Sequence, residues 1–321
     1  MTTTQKTTVP PARKRTTTGR SVPPQSHRPK APLNWGKISA WAVLTLAILI
    51  TVVPFLWMIR TALSSNHSLA ANSASLLPAD FSWGAFKRVL GMQSAEEALA
   101  EGGSGAAINF WLYLRNSFIV STMVTVCQVF FSALAAYAFA RLKWPGREKV
   151  FTFFLATLLV PPIFTALPNF LLIKNLGMLN TFLGIALPSM LMTPFAIFFL
   201  RQFFMGMSRE MDEAAKLDGA SHVRIFFQVI MPNAVGPIAT LSLLTFIASW
   251  NEYFWPLLVA QEENVRVLTV GLSVFKSQSP QGAPDWSGLM AATLIAALPI
   301  LILLIAFGKK VVNSIGFSGI K

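Results

Sequence analysis

Six long runs of apolar residues constrain this chain more than any other feature of its sequence. They cover residues 38–59, 117–140, 150–173, 182–204, 234–258 and 289–312. A helix of about 20 mainly apolar residues crosses the ~30 Å hydrocarbon core of a bilayer. Each run is long enough for such a crossing. The sequence therefore predicts an all-α membrane protein with six transmembrane helices.

The composition agrees with a membrane protein, because 54% of the residues are hydrophobic and only 12% are charged. Soluble domains carry about 25% charged residues, which they need to cover their surface. A single cysteine, Cys127, excludes an intramolecular disulfide framework and any cysteine-cluster metal site. We expect Cys127 to be a small buried hydrophobic side chain, since it lies inside the second run.

Prolines occur inside the third, fourth and fifth runs, at positions 161, 162, 168, 188, 194, 237 and 256. Neighbouring helices can satisfy the carbonyls that proline frees within a bilayer, so the sequence predicts a packed bundle in which several helices bend. The first run follows basic residues and could be a signal peptide. We interpret it as a membrane anchor, because it exceeds the 7–15 residues of a signal core.

The lysines and arginines predict the orientation of the spans. If both termini are cytoplasmic, 19 of these residues lie on the cytoplasmic side and 7 on the other side. We therefore expect both termini in the cytoplasm. Topology and attraction to anionic membrane lipid account for most of the net charge of +13, so this charge does not predict a nucleic-acid partner.

The segments outside the apolar runs divide the chain into two parts. Residues 1–36 are basic, rich in Thr and Pro and without a hydrophobic period, and we interpret them as a disordered cytoplasmic tail. Residues 37–321 form the predicted membrane domain. Its longest outer loop, 64–112, is either a contact for a binding partner or a surface insertion that shields the bundle.

Motifs for catalysis and cofactor binding are missing from the sequence. It contains no GxxxxGK[ST] phosphate-binding loop, no Cys/His spacing typical of a metal site and no convincing Ser/His/Asp set. Glu252 is the one acidic residue within the six runs, whereas ion-coupled carriers keep charged relays in the membrane. We therefore predict a non-catalytic conduit that binds no cofactor and takes its energy from another protein.

One charged segment, MSREMDEAAKLDGASHVRIFFQVIMP (207–232), interrupts the apolar sequence between the fourth and fifth runs. Asp212 and Lys216 have the i,i+4 spacing of an ion pair on an exposed helix face. Helix caps and breaks are predicted at Ser208, Gly219, Ser221 and Pro232. The residues alone leave open whether this is a solvated loop helix or a docking helix.

A longer pattern runs through this segment: E-A-A, three residues, G, nine residues, an apolar-x-apolar pair and P. It stands here as Glu213, Ala214, Ala215, Gly219, Val229, Met231 and Pro232, with Asp218 and Ala220 completing a DGA sequence. This pattern resembles the signature of the integral membrane subunits of bacterial ABC importers. The stretches AAYAFARLKWPGR, LGMLNTFLGIALP, SWNEYFWPLLV and DWSGLMAA are similar to maltose-type sugar permeases, and the resemblance covers residues 37–321.

The resemblance implies a fold, a location and a set of partners. The region 207–232 would be a cytoplasmic coupling helix seated in a partner ATPase, through Glu213, Ala214, Ala215, Asp218, Gly219 and Pro232. The partners would be a second permease subunit in a heterodimer, two ABC ATPase subunits that bind ATP-Mg, an extracytoplasmic solute-binding protein and a sugar substrate. The chain would lie in the bacterial inner membrane, with its tail at Lys321 near the ATPase interface.

The fifth run contains the candidate residues for a substrate pathway: Trp250, Asn251, Glu252 and Tyr253. Amides and carboxylates bind sugar hydroxyls, and aromatic faces stack on pyranose rings. An aromatic belt at the membrane interface, or packing against the partner permease, explains the same residues. Asn169, which follows Pro168, is a weaker candidate for the pathway.

Three functions remain to be compared. The first is the permease of a sugar or oligosaccharide importer, and the second is a permease for a polyol or a glycerol-phosphate type of substrate. The third is a membrane receptor or scaffold that transports nothing. An intramembrane enzyme has the least support, because the sequence offers no catalytic constellation.

Overall fold

The computed structural model describes residues 35–71, 75–103, 108–277 and 284–316, and every regular element in these ranges is helical. Apart from residues 35 and 36, the predicted tail 1–36 lies outside the described residues, as does Lys321. The chain divides into two units, Met1–Ile50 and Thr51–Lys321. The second unit contains all the candidate site residues.

Sixteen α-helices occur in the described ranges. The first four are α1 (Trp35–Ala62), α2 (Asn66–Ala71), α3 (Gly84–Val89) and α4 (Ala95–Ala100). They are followed by α5 (Phe110–Arg141), α6 (Arg147–Ala156), α7 (Pro162–Asn175), α8 (Phe182–Met190) and α9 (Pro194–Gly206). The last seven are α10 (Glu210–Leu217), α11 (His222–Ile225), α12 (Met231–Asn233), α13 (Val235–Trp250), α14 (Phe254–Val259), α15 (Leu268–Ser277) and α16 (Trp286–Gly316).

Membrane-length helices come in two kinds. Three are long and apolar enough to cross a bilayer singly: Ser39–Ala62, Phe110–Arg141 and Trp286–Gly308. Three further candidates in the described part of the chain are bent pairs, Arg147–Leu159 with Pro162–Asn175, Phe182–Met190 with Pro194–Gly206, and His222–Asn233 with Val235–Trp250, bent by 99°, 48° and 80°.

Proline causes two of these breaks, as the sequence predicts. Val160 precedes Pro161 and takes an extended backbone with ψ of 115°, because the proline ring disfavours a helical residue before it. In the fourth run, the new helix α9 begins at Pro194, where the missing N–H costs nothing. The hydroxyl of Thr193 accepts a hydrogen bond from the Ala196 N–H at 3.3 Å and caps that helix.

The fifth predicted span, 234–258, is wrong in its boundaries. Helix α13 ends at Trp250, and α14 begins only at Phe254. At Asn251 the backbone N–H still donates to the carbonyl of Ile247 at 3.1 Å, and the side-chain amide donates to the same oxygen at 2.8 Å, so the side chain competes with the backbone where the helix ends. The bent pair instead joins α13 to the segment before it, through a turn at Ala234.

Helix α5 occupies the centre of the second unit, and it packs against α8, α9, α13 and α15. Small buried residues on α5, including Ser121, Ser132, Ala133 and Ala136, let these neighbours approach its backbone closely. All four hydrophobic clusters among the described residues combine side chains of α5 with those of other helices; in the smallest of them the α5 side chain in the buried core is Phe139.

The segment between α1 and α5, predicted as the outer loop 64–112, is fixed to α16 by a buried ion pair. Arg88 on α3 lies with its Nε 2.8 Å from Asp285 Oδ2, and their side chains are 5% and 0% exposed. The same carboxylate accepts hydrogen bonds from the Asn66 amide at 2.9 Å and the Gly288 N–H at 2.8 Å. The described residues around Arg88 and Asn66 are therefore joined to the start of α16 by these contacts.

We expect Asp285→Ala to lower the free energy of unfolding by roughly 3–5 kcal/mol, since it leaves a buried guanidinium without its partner. The matched control is Glu101→Gln, because Glu101 lies 3.9 Å from Arg88 and is 35% exposed. Thermal unfolding of the purified protein in detergent measures both changes. Equal losses in the two variants would contradict the buried pair's role.

Candidate functional site

The charged segment forms one short helix, α10, that ends in a glycine turn. Gly219 has a backbone φ of +76°, in the left-handed region that favours glycine. Its N–H donates to the carbonyl of Lys216 at 2.9 Å, and the N–H of Ala220 donates to that of Ala215 at 2.9 Å. These bonds satisfy carbonyls that the end of α10 leaves open, in the manner of a Schellman turn.

The start of α10 differs by one residue from the prediction. The helix begins at Glu210 with Arg209, rather than Ser208, in the capping position. Ser208 still contributes, since its hydroxyl accepts a hydrogen bond from the Glu210 N–H at 3.2 Å. Glu210, Asp212 and Glu213 lie in the first turns, where negative charge favours the helix dipole.

The second half of the segment, from His222 onwards, is helical and ends later in the sequence than predicted. The Ser221 hydroxyl accepts from the Arg224 N–H at 3.3 Å, which confirms Ser221 as its cap. A π-helical turn over Phe226–Ile230 then leads into α12, which contains Pro232. The prediction that Pro232 stops the helix is wrong, because proline in the first turn of α12 loses no hydrogen bond there. The chain turns at Ala234 instead.

Asp212 pairs with a residue far from it in sequence, not with Lys216. Its side chain is 12% exposed, and Oδ2 lies 3.3 Å from Nη1 of Arg141, the last residue of α5, whose side chain is 3% exposed. Arg141 Nη2 also donates to the carbonyl of Met207 at 2.9 Å. The predicted exposed pair of Asp212 and Lys216 is therefore wrong, because α10 turns Asp212 towards the end of α5.

A second arginine fixes the same end of the bundle. Arg201 on α9 donates through Nη2 to both carboxylate oxygens of Glu148 on α6, at 3.0 and 2.9 Å. Its guanidinium lies 4.0 Å from the centre of the Phe151 ring. The start of α6 is thus tied to α9.

The outward face of α10 carries most of the motif residues. Glu213, Ala214, Lys216 and Asp218 are exposed, whereas Ala215 packs against the hydrophobic cluster around Phe226. Leu217 is 90% exposed, although it is a large apolar residue at the end of a charged helix. Leu217 is thus an exposed apolar side chain on a helix that the ion pair of Arg141 and Asp212 holds in place.

Sequence reasoning missed both Arg141 and Leu217. Arg141 ends the stretch AAYAFAR, and an arginine that closes an apolar run is a signal for the membrane boundary. Its reach to α10 depends on tertiary packing that no local pattern contains. Leu217 precedes the DGA sequence, and its exposure follows from the direction in which Asp212 and Ala215 bury the opposite face.

Among the four fifth-run candidates, Trp250 does not belong with the others. It is 4% exposed, its ring stacks on Phe246 with centroids 5.6 Å apart, and its indole N–H donates to the carbonyl of Ala296 on α16 at 3.2 Å. Trp250 is therefore a packing residue between α13 and α16. Its role in a substrate pathway stays a prediction.

The other three candidates occupy the interruption between α13 and α14. Asn251 and Tyr253 are exposed, Tyr253 by 41%. Glu252 accepts a hydrogen bond from the Trp255 N–H at 3.2 Å, and it lines a cavity of about 380 Å³ together with Asn169 on α7. The structure thus brings two sequence candidates, Glu252 and Asn169, to one cavity. Within the described residues, no three His, Cys, Asp or Glu side chains form a metal site.

The chain is similar in structure to a known transporter. In a search of solved structures, the chain aligns with a TM-score of 0.70 at 23% identity, over 86% of its length and 95% of the other chain, to a bacterial ABC transporter described as involved in the import of the acidic polysaccharide alginate. This similarity shows that the two chains share a fold.

Curated relatives cover nearly the whole chain. It is 30% identical to the probable ABC transporter permease protein YurM of Bacillus subtilis (strain 168), over 92% of each chain. It is 30% identical to the sn-glycerol-3-phosphate transport system permease protein UgpE of Pectobacterium atrosepticum, over 87% of this chain and 95% of that one. It is 29% identical to the trehalose/maltose transport system permease protein MalG of Thermococcus litoralis, over 86% and 94%.

The family model agrees with these relatives and locates the match on the chain. It spans residues 128–315, from α5 into α16, and so includes α10 and most of the residues that line the cavity. The chain belongs to the family of binding-protein-dependent transport system inner membrane components.

Proposed function

We propose that this chain is a permease subunit of an ATP-binding cassette importer that moves a sugar or oligosaccharide across the bacterial inner membrane. ATP-Mg is bound and hydrolysed by two partner ATPase subunits, and a second permease completes a heterodimer. An extracytoplasmic solute-binding protein delivers the substrate. The family membership supports the ATPase and binding-protein partners, and the trehalose/maltose relative supports a sugar substrate.

The proposed topology has six spans, with each bent helix pair counted as one span. The excess of lysine and arginine on the side of the termini supports a cytoplasmic location for both ends. Four crossings before α10 then place this helix in the cytoplasm. It serves there as the coupling helix, with Glu213, Ala214, Ala215, Asp218, Gly219 and Pro232 in or beside the contact with the ATPase.

The observation that carries this proposal is that α10 is held by Arg141 and also exposes an apolar side chain, Leu217. Arg141 anchors the helix through Asp212 and the Met207 carbonyl, and Leu217 is 90% exposed. A movement of the partner that grips Leu217 is thereby transmitted to α5. A receptor or scaffold has no need of such a connection, and it would leave the activity of an ATPase unchanged.

The experiment that tests the proposal is a Leu217→Asp substitution in the assembled complex. We expect at least a tenfold loss of ATPase subunit recovered with the tagged permease, because a central apolar contact contributes about 2 kcal/mol or more to an interface. The control is Leu76→Asp, since Leu76 is 84% exposed in the segment between α1 and α5. Normal ATPase recovery and stimulation in Leu217→Asp would refute the coupling role.

Arg141→Met should uncouple transport from ATP hydrolysis. The substitution leaves the Asp212 carboxylate nearly buried without its cation and removes the bond to Met207, which loosens the base of α10. We expect substrate uptake per ATP hydrolysed to fall about tenfold, measured in proteoliposomes. Lys143→Met, which removes an exposed cation two residues away, is the control. An unchanged coupling ratio in Arg141→Met would show that the pair is dispensable.

Gly219 tests whether the turn after α10 must keep its left-handed backbone. A Cβ at this position meets no atom within 4 Å, so a new side chain has room, and only the backbone is strained. The strain of about 1–2 kcal/mol for a β-branched residue should reduce uptake about tenfold in Gly219→Val at normal insertion. Asn tolerates this conformation, so Gly219→Asn should stay close to the unmodified protein. Equal uptake by both variants would exclude a conformational requirement.

A further inference from the structure

The cavity beside Glu252 is lined by polar side chains as well as apolar ones. It measures about 380 Å³ and lies among α5, α7, α8, α13 and α14. That size falls within the range of roughly 300–1,000 Å³ typical of small-molecule sites. Polar side chains from four of these elements face it: Ser121, Gln128, Thr165, Asn169, Ser189 and Ser249.

Hydroxyl and amide groups on membrane-length helices are costly if they face lipid, because acyl chains offer them no hydrogen bond. Within the described part of the chain, the side chains of Asn169, Ser189 and Ser249 make no hydrogen bond. Their amide and hydroxyl groups can therefore form hydrogen bonds with a ligand. Gln128 is held in place by donating to the Thr193 hydroxyl at 3.0 Å. The wall therefore suits water and a hydroxylated ligand.

A second cavity of about 860 Å³ shows the contrast. It lies between α5, α13 and α16, and apart from Arg115, Thr125 and Ser242 its described lining is apolar. Phe118, Phe246 and Leu303 are examples of that lining. Helix α13 thus presents an apolar face to one cavity and a more polar face to the other.

Charge decides which hydroxylated ligand fits the first cavity. Glu252 is the only ionisable side chain in its described lining, and no lysine or arginine lines it. A phosphate or carboxylate on the ligand would meet a negative charge with no compensating cation. Trp255 adds an aromatic surface, fixed by its indole N–H, which donates to the carbonyl of Ile185 at 3.1 Å.

We propose that this cavity is a subsite for an uncharged, polyhydroxylated ring, contributed by this chain itself to the transport pathway. The amide of Asn169 and the hydroxyls of Ser189 and Ser249 bind the ligand's hydroxyl groups, Glu252 accepts a further hydrogen bond, and Trp255 offers its ring. The proposal rests on the proposed transport function, and it selects a neutral sugar over a glycerol-phosphate type of substrate.

Thiol labelling tests the cavity without requiring transport. Ser249→Cys and Ser242→Cys are made in a Cys127→Ser background and studied in the full complex in lipid nanodiscs. We expect the thiol at 249 to react with charged methanethiosulfonates, the cationic reagent about fivefold faster than the anionic one after normalisation to free cysteine, because of Glu252. Glu252→Gln should remove this preference. The thiol at 242, in the apolar cavity, should react at least tenfold more slowly with both reagents.

Two labelling results would overturn the subsite. One is a thiol at 249 that is as unreactive as the thiol at 242, which would mean that lipid or protein fills the cavity. The other is a preference for the anionic reagent, which would mean that cations from elsewhere in the complex, and not Glu252, set the electrostatic potential at this thiol. Neither result affects the docking of the ATPase through Leu217, so failure here is distinguishable from failure of the proposed function.

Uptake by the reconstituted complex tests the ligand class. Labelled glucose, maltose, trehalose and sn-glycerol 3-phosphate are supplied, each with the complex's own binding protein. We expect uptake of a neutral sugar, with at least a tenfold loss in Ala248→Phe, which fills the first cavity, and little change in Ala239→Phe, which fills the second. Uptake of glycerol phosphate alone, or equal effects of the two alanine variants, would overturn the subsite. Uptake of none of the four compounds would count against the proposed function itself.

Discussion

A bilayer offers no hydrogen-bond partner to a backbone group, and this constraint determines where the helices of the second unit can be interrupted. At three places where neighbouring segments leave regular helix, a polar side chain of α5 makes the hydrogen bond. Asn116 donates to the carbonyls of Asn264 and Arg266, both at 2.9 Å. Gln128 holds the cap of α9 at the break in the fourth run, and Arg141 donates to the Met207 carbonyl. Helix α5 therefore fixes the broken helices at three levels along its length.

The same arrangement connects the two candidate sites. Arg141 and Gln128 are thirteen residues apart on one continuous helix, which corresponds to about 20 Å at 1.5 Å per residue. One of them holds α10 and the other lines the polar cavity. Helices kink mostly at proline, glycine or bulges, and α5 contains no proline or glycine between these points, so in the proposed function a movement of α10 is passed along α5 to the cavity. This is the physical basis for coupling in the proposed function.

Much of the fold follows from the sequence because its signals are local. Long apolar runs predicted the helices, prolines predicted the breaks near 161 and 194, and Ser221 predicted a cap. The errors concern one contact between distant segments and one local contact. The burial of Asp212 depends on Arg141, 71 positions earlier, and a local i,i+4 rule assigns the same carboxylate to Lys216. The end of the fifth run depends on Asn251, whose amide competes for a backbone carbonyl only once the helix is formed.

The chemistry of the polar cavity suits a pathway better than a storage site. Hydrogen bonds between neutral groups contribute about 1 kcal/mol each after water is displaced, whereas a buried ion pair would hold a charged ligand much more strongly. A conduit must bind its cargo well enough to admit it and weakly enough to release it. Several amides and hydroxyls, with one carboxylate that already accepts a backbone hydrogen bond from Trp255, meet both conditions for an uncharged sugar. In the proposed function, the binding protein selects the substrate and this chain contributes a path that does not retain it.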